Sequence, residues 1–227
     1  MGEAGNDTAS AETGTEADTL RKKPLQMTMP TILPDPERVP GSLSENETQE
    51  RLARRRKTLD FLTAHGIRYE LFTHPPLPTV KEALEYWKDV DATHCKNLFF
   101  RNHKGNRHYL VVLECHKELD IHRLEHMLHQ GKLSFASSER MERCLGLLPG
   151  SVSPLGLIND IGIAATADPK ELYPNGHRVK LFLDKDLQNA EKLSFHPCEN
   201  TSGAVIGFTD FMRFLDVWGG ETEWLEC

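Results

Sequence analysis

Read by where its apolar residues recur, the chain divides into a featureless beginning and a patterned remainder. Residues 1–47 are rich in Thr, Ala, Glu and Gly, then in Pro, with no apolar period, and are expected to be disordered. The pattern begins at SENE, where Ser44 and Glu47 form a capping box and predict a helix to about His65, stopped by Gly66. Leu52, Leu59 and Leu62 share one face of it, and the basic run Arg54–Lys57 lies mostly on the other. IRYELF (67–72) reads as a strand, broken by HPPLP. Thr79 and Glu82 repeat the capping-box pattern and open a helix through Val90, with Val80, Ala83, Leu84 and Trp87 inward. CKNLFFRN (95–102) and HYLVVLEC (108–115) flank the turn HKGN as a hairpin. Asp120 starts a short helix ending at Gly131, KLSFAS (132–137) is a strand, and Ser138 caps a helix to Cys144. IGIAATA (161–167), RVKLFLD (178–184), KLSFHP (192–197) and GAVIGF (203–208) read as further strands. A final helix, Asp210 to Trp218, stops at Gly219–Gly220.

Hairpins mixed with scattered helices do not fit the strict strand–helix alternation of a doubly wound fold. They predict an α+β domain: a curved, mixed, mostly antiparallel and barrel-like sheet with helices around it. There is no internal repeat. The expected division is a tail, 1–47, and one domain, 48–227.

One segment fits neither period. LPGSVSPLGLIND (148–160) carries two prolines and two glycines, so it cannot be a regular helix, yet it is too apolar for a plain surface loop. Gly150 permits positive φ or close backbone approach, and Pro154 holds Ser153 extended. Ser151, Val152 and Ser153 between them would give a stiff loop whose backbone dipoles and hydroxyls can face a ligand, with Val152 and Leu155 as an apolar wall. The plainer alternative is a structural Ω-like connection.

Composition narrows the classes. No run approaches the roughly 18 apolar residues of a membrane span. The acidic N-terminus lacks an apolar core and arginine, so neither a secretory nor a transit peptide is expected, and Met-Gly is not followed by a myristoylation pattern. Five cysteines without C-x-x-C spacing suggest reduced thiols in the cytosol, and no spacing favours a metal. The net charge is −7. Much of that acidity lies in the tail, so a polyanionic partner stays open. The run RLARRRK (51–57) supplies a local patch, read either as a solvated face or as a phosphate-contacting helix through Arg54, Arg55, Arg56 and Lys57. No GxGxxG, Walker loop, GxSxG or HExxH occurs.

Two single residues complete the candidates. Lys96 stands at the mouth of an apolar strand, where it can serve an anion or simply snorkel off the strand end. His196, before Pro197, closes a strand in extended geometry and is a general base, a donor or a packed ring.

The strings YELFTHPP, CKNLFF, YLVVL, KLSFASSERMERCLGLLPGSVSPLGLIND and FHPCENTS, in this order, resemble the YbaK/ProX aminoacyl-tRNA editing-domain superfamily. More narrowly they resemble its free-standing prolyl-tRNA-synthetase-associated members (PrdX or ProXp-ala type), from about Thr48 to Trp218. The resemblance implies hydrolysis of the ester between a wrong amino acid and the 3′-terminal adenosine, here alanine on the tRNA for proline. It makes Lys96 the signature lysine, Gly150 to Pro154 the GxxxP loop, and His196 the late-strand histidine. It assigns catalysis to Lys96, Gly150 and His196, and substrate contacts to Asn97, Ser151, Val152, Ser153, Pro154, Asn159, Asp160 and Thr201. It implies no cofactor and no metal. The implied partners are aminoacyl-tRNA and prolyl-tRNA synthetase, not DNA or membrane. Gly203 after Asn200, Thr201 and Ser202 departs from the family's usual motif. Cys- or Ser-tRNA deacylation, or an inactive module that binds tRNA or synthetase, are the alternatives.

Overall fold

The computed structural model describes residues 1–2, 45–76 and 86–227. Of the expected tail, residues 3–44 lie outside this range with the Ser44 cap, and 45–47 already belong to a helix. The expected Thr79–Val90 helix lies outside it as far as residue 85, and Tyr86 and Trp87 are helical.

The chain runs α1 (Glu45–Ala64), β1 (Tyr69–Thr73), β2 (Thr93–Arg101), β3 (His108–Glu114), α2 (Ile121–Leu128), β4 (Ser134–Phe135) and α3 (Ser138–Leu145). Short 3-10 turns follow, then β5 (Val179–Asp184), β6 (Lys192–Phe195), β7 (Ser202–Gly207), α4 (Phe208–Trp218) and β8 (Thr222–Leu225). The strands form one mixed sheet in the order β1-β7-β6-β2-β3-β5-β8, with β4 paired to β2. The pairs β1–β7, β6–β7, β2–β3 and β2–β4 are antiparallel, and β2–β6, β3–β5 and β5–β8 are parallel. The fold is thus the expected α+β type.

β2 is the hinge of this sheet. Alternation sends Cys95 and Phe99 to a large core with Leu110, Val112, Leu181 and Phe211, and Leu98 and Phe100 to a second core with Val111, Leu113 and Leu124. Each fully buried Leu or Phe there contributes about 1.5–3 kcal/mol against exposure. The cores therefore fix β2 on both faces.

Four local expectations need correction. IGIAATA forms no strand: Gly162 turns at φ +68 and Ile163–Ala165 is a 3-10 turn on the surface. KLSFAS contributes only Ser134–Phe135 to the sheet. α2 ends on left-handed His129 rather than Gly131, and α3 is capped by Ser137 rather than Ser138, because the Ser137 Oγ accepts from the Arg140 N–H. β8 was not anticipated: TEWL is short and pairs with β5 only because α4 turns the chain back at Gly219.

Candidate functional site

The parallel ladder between β2 and β6 is brief. It holds Thr93 to Leu193 and His94 to Ser194, and then the strands diverge. Lys96 lies two residues past His94 on the same face of β2, and His196 lies two residues past Ser194, just beyond the end of β6. Lys96 is half-buried, and no acceptor among the described residues holds its ammonium.

Asn97 points to the other face, where its Nδ2 donates to the Val152 carbonyl at 3.0 Å. This bond ties the GSVSP loop to β2. Gly150 is exposed at φ +81, a conformation in which a side chain would be strained. The Ser151 N–H donates to Leu148 O, and the Ser153 Oγ and C=O accept from Leu155 and Gly156 N–H groups. The N–H groups of Gly150 and Val152 have no partner among the described residues. Ser151 and Ser153 are buried, so the loop offers backbone rather than hydroxyls. Pro154 opens a buried 3-10 turn, Pro154–Asp160, and Leu155 goes into the main core rather than to a pocket wall.

His196 is oriented by its own turn. A carbonyl can only accept, so Nδ1–H donates to Ser202 O at 3.0 Å, and the Nε2 lone pair is left free. The turn is fixed in its centre by Glu199, 1 % exposed, whose carboxylate accepts from Thr201 N–H and from the Thr201 and Ser202 hydroxyls. Thr201 O in turn accepts the His74 N–H at 2.9 Å. Thr201 thus braces the turn.

His74 is a site residue that sequence reading passed over inside HPPLP. Its ring lies 5.7 Å from that of His196, its Nδ1–H donates to Pro75 O, and its Nε2 is buried without a partner among the described residues. Burial lowers its pKa, a hydrogen bond to Pro75 opposes this, and the neighbouring His196 adds to the lowering. Phe72 lies 5.9 Å from His74, and its ring occupies the space a Cβ at Gly203 would need, with Cζ 2.1 Å from that point. The departure at Gly203 therefore makes room for an aromatic wall. Phe72 and Gly203 stand directly opposite each other in the β1–β7 ladder, which only the pairing reveals.

The basic run of α1 is turned largely onto protein. Arg51 donates to the Asn200 side chain, Arg54 to Gly146 O and Glu142, and Lys57 to Asn159 Oδ1. Arg55 stands 3.8 Å from buried Glu199. Arg56, 85 % exposed and 3.9 Å from Asp60, is a solvated cation, and Lys57 is also exposed. Arg55 thus leans on the turn that holds His196, Arg54 holds the end of α3, and Lys57 holds the 3-10 turn at Asn159.

Asn159 and Asp160 are not brought to the site. Asn159 Nδ2 donates to Leu145 O and Gly156 O, which locks the 3-10 turn. Asp160 is wholly buried, accepts from Arg178 N–H, Val179 N–H and Trp218 Nε1–H, and is raised in pKa by that burial. Cys95, beside Lys96, is raised well above an ordinary thiol by burial, which disfavours a thiolate there. Glu114, Cys115 and His116 bring three possible ligand atoms within 4.8 Å of one another. Burial and a hydrogen bond to Glu114 push the Cys115 thiol up to about 12.

This arrangement can be set beside known proteins. The profile described as "Aminoacyl-tRNA editing domain" matches residues 74–214. The chain belongs to the aminoacyl-tRNA editing domain family. Prolyl-tRNA editing protein ProX of Acetoanaerobium sticklandii is 32% identical over 161 residues, covering 70% of this chain and 89% of that one. Prolyl-tRNA synthetase associated domain-containing protein 1 of Bos taurus is 28% identical over 156 residues, covering 68% and 84%. A solved structure titled as a candidate trans-editing enzyme for prolyl-tRNA synthetase aligns with a TM-score of 0.53 at 19% identity, over 82% of this chain and 99% of that one. Another, of hypothetical protein APE2540, gives 0.53 at 18%, over 73% and 96%. The structural likenesses show the fold. α1, at 45–64, lies outside the matched editing domain, so its hold on the His196 turn is an addition to the matched part. No helix among the described residues is long and apolar enough to cross a membrane.

Proposed function

We propose that this editing-domain protein is a trans-acting deacylase that hydrolyses alanine from the tRNA for proline, in the cytosol, with prolyl-tRNA synthetase as a partner. The observation that supports it best is the short β2–β6 ladder, with Lys96 and His196 each two positions past its last pair, and the Asn97-tethered loop with unpartnered N–H groups. An aminoacyl ester is already activated, so the protein needs to position a water and stabilise an oxyanion. Water attacks the acyl carbon, the carbonyl becomes an oxyanion, and the acyl–ribose C–O bond then breaks. The Lys96 ammonium and the Gly150 and Val152 N–H groups supply positive potential to the oxyanion or the terminal phosphate. The free Nε2 of His196 accepts a proton from the water and returns it to the ribose oxygen as the acyl–ribose C–O bond breaks, and its Nδ1–H bond to Ser202 O steadies the ring while it is charged. The buried, acid-resistant ring of His74 stays neutral beside it and avoids a second cation. Gly203 admits Phe72 into the wall, which shortens a side-chain pocket toward alanine. The need is physical: a pocket built for proline discriminates against a smaller side chain by only about 1–3 kcal/mol per missing methylene.

The test is a deacylation time course on Ala-tRNA for proline, with Pro-tRNA, Cys-tRNA and Ser-tRNA alongside. Selective loss of alanine is expected, and Lys96→Ala should abolish it without unfolding the protein. Loss of cysteine or serine instead would keep the chemistry and move the specificity. Retained tRNA binding with no hydrolysis of any ester would leave a binding module.

A further inference from the structure

The end of β2 remote from the site carries a second feature. Residues 101–107, RNHKGNR, hold three permanent cations and no acid in a chain of net charge −7. The turn draws in other cations from three directions. Arg140 Nη1 donates to Gly105 O at 2.6 Å, Asn102 Nδ2 reaches Gln130 Oε1 at 3.4 Å, and Arg107 Nη1 donates to Lys170 O at 2.7 Å. Gly131 packs on the His103 side chain, which places Lys132 beside the turn. Arg101, Lys104, Arg107, Lys132, Arg140 and Lys170 thus gather on one end of the molecule. None forms an ion pair with a carboxylate among the described residues; the arginines instead donate to main-chain carbonyls.

The neighbouring acids are already held. Glu125 accepts from Leu133 N–H, faces His122 and lies within the field of Lys132, and Glu171 is paired with Arg143 and Arg178. Asp168 caps the Lys170 N–H, and Glu139 lies at the Ser137 cap. Buried His108 registers the field: burial, then Arg140, Arg143, Arg178 and Arg101, drive its pKa down to about 3. In the same surface Phe135 is 63 % exposed and stacks on Phe100 at 4.7 Å, an aromatic face presented to solvent.

A cation cluster without carboxylate partners, with an exposed aromatic ring in it, matches a nucleic-acid backbone with an unpaired base. β2 joins this surface to the site: Lys96 and Arg101 are five residues apart, about 17 Å along a strand. We propose that this end of the molecule is an RNA-docking surface. It grips the phosphates of the stem whose single-stranded 3′ end enters between β2 and β6, and Phe135 stacks on an unpaired base. The choice of RNA rests on the editing reading above; the docking itself is measured independently of hydrolysis.

The experiment uses the full chain with uncharged tRNA, by fluorescence anisotropy across a potassium chloride series. The triple variant Lys104→Glu, Lys132→Glu, Lys170→Glu alters exposed side chains without ion-pair partners, so its melting curve should match wild type. Its affinity should fall at least about tenfold at low salt, and the log–log salt slope should become shallower by about 2–3. Phe135→Ala should weaken binding while keeping the slope, and Arg56→Glu on α1 should change neither. Hydrolysis of a small 3′-aminoacyl adenosine ester should be the same in the triple variant as in wild type. Unchanged tRNA affinity and slope in the triple variant would overturn the surface. So would tight wild-type binding to anionic phospholipid vesicles without binding to tRNA. If no ester is hydrolysed by any form but the binding differences hold, the surface stands and the deacylase reading falls.

Discussion

Asn97 joins two pieces of chain 55 residues apart through one hydrogen bond to the Val152 carbonyl. Asn97→Ala removes the donor and leaves that carbonyl unpaired, at about 1–3 kcal/mol where the group is buried. Because Val152 is the middle of the bridging loop, the expected effect is a fall of about tenfold or more in kcat with a smaller change in KM, read from single-turnover deacylation. A change confined to KM would mean that Asn97 contacts substrate rather than loop. At Gly203 the constraint is volume. An added Cβ would meet Phe72 Cζ at 2.1 Å, so Gly203→Ala must displace the ring, at about 1–3 kcal/mol. A urea midpoint unchanged from wild type would show that Phe72 swings aside freely. The lysine, the loop and the late histidine were all legible as residues. Their faces were not: alternation along β2 puts Lys96 and Asn97 on opposite sides, and only the paired sheet shows what each side holds.

α1 shows the limit of reading an element by its own pattern. Leu52 is 38 % exposed while Leu62 is fully buried, so the apolar stripe is narrower than the spacing suggests. The helix is held as much by its cations, which reach acceptors in loops far along the sequence. Arg55→Ala leaves buried Glu199 without its cation. The Arg55–Glu199 separation of 3.8 Å and the partial exposure of Arg55 moderate the loss to about 1–2 kcal/mol. Since Glu199 orders the turn whose Ser202 carbonyl orients His196, kcat should fall more than KM rises. The tRNA salt slope should stay at the wild-type value. A shallower slope with unchanged thermal stability would return this residue to the phosphate-contacting role. The same blindness explains Asp160 and Asn159: they follow the loop motif directly, but the tight turn from Pro154 rotates them inward to main-chain partners.

For the whole molecule, acid is the informative perturbation. His108 is neutral in the fold because Arg140 donates to its Nε2 at 3.0 Å, while burial and the surrounding arginines lower its pKa to about 3. Its folded pKa lies below its unfolded value of 6.5, so its contribution is complete above pH 6.5 and is lost as pH falls toward 3. In that window the unfolded chain takes a proton the folded chain refuses, a slope of at most about 1.4 kcal/mol per pH unit. His74, lowered mainly by burial, acts with the same sign. Urea titrations between pH 7 and pH 4 should show wild type losing stability faster than His108→Gln. Parallel curves would mean that the buried ring is protonated without cost.

By itself the sequence determined what local period and local chemistry can determine: the helices and strands with clear spacing, the α+β class, the stiff loop and the residues able to handle an ester. Tertiary structure decided the rest, because a hydrogen bond or an ion pair depends on distance in space. It decided that the β2–β6 ladder ends at His94 and Ser194, with Lys96 and His196 each two positions past its end. It turned the basic helix inward onto the His196 turn and the end of α3 and left the cations of the β2–β3 end facing water. It brought Phe72 over Gly203 and His74 beside His196, contacts between residues more than a hundred positions apart whose pattern no window of sequence contains.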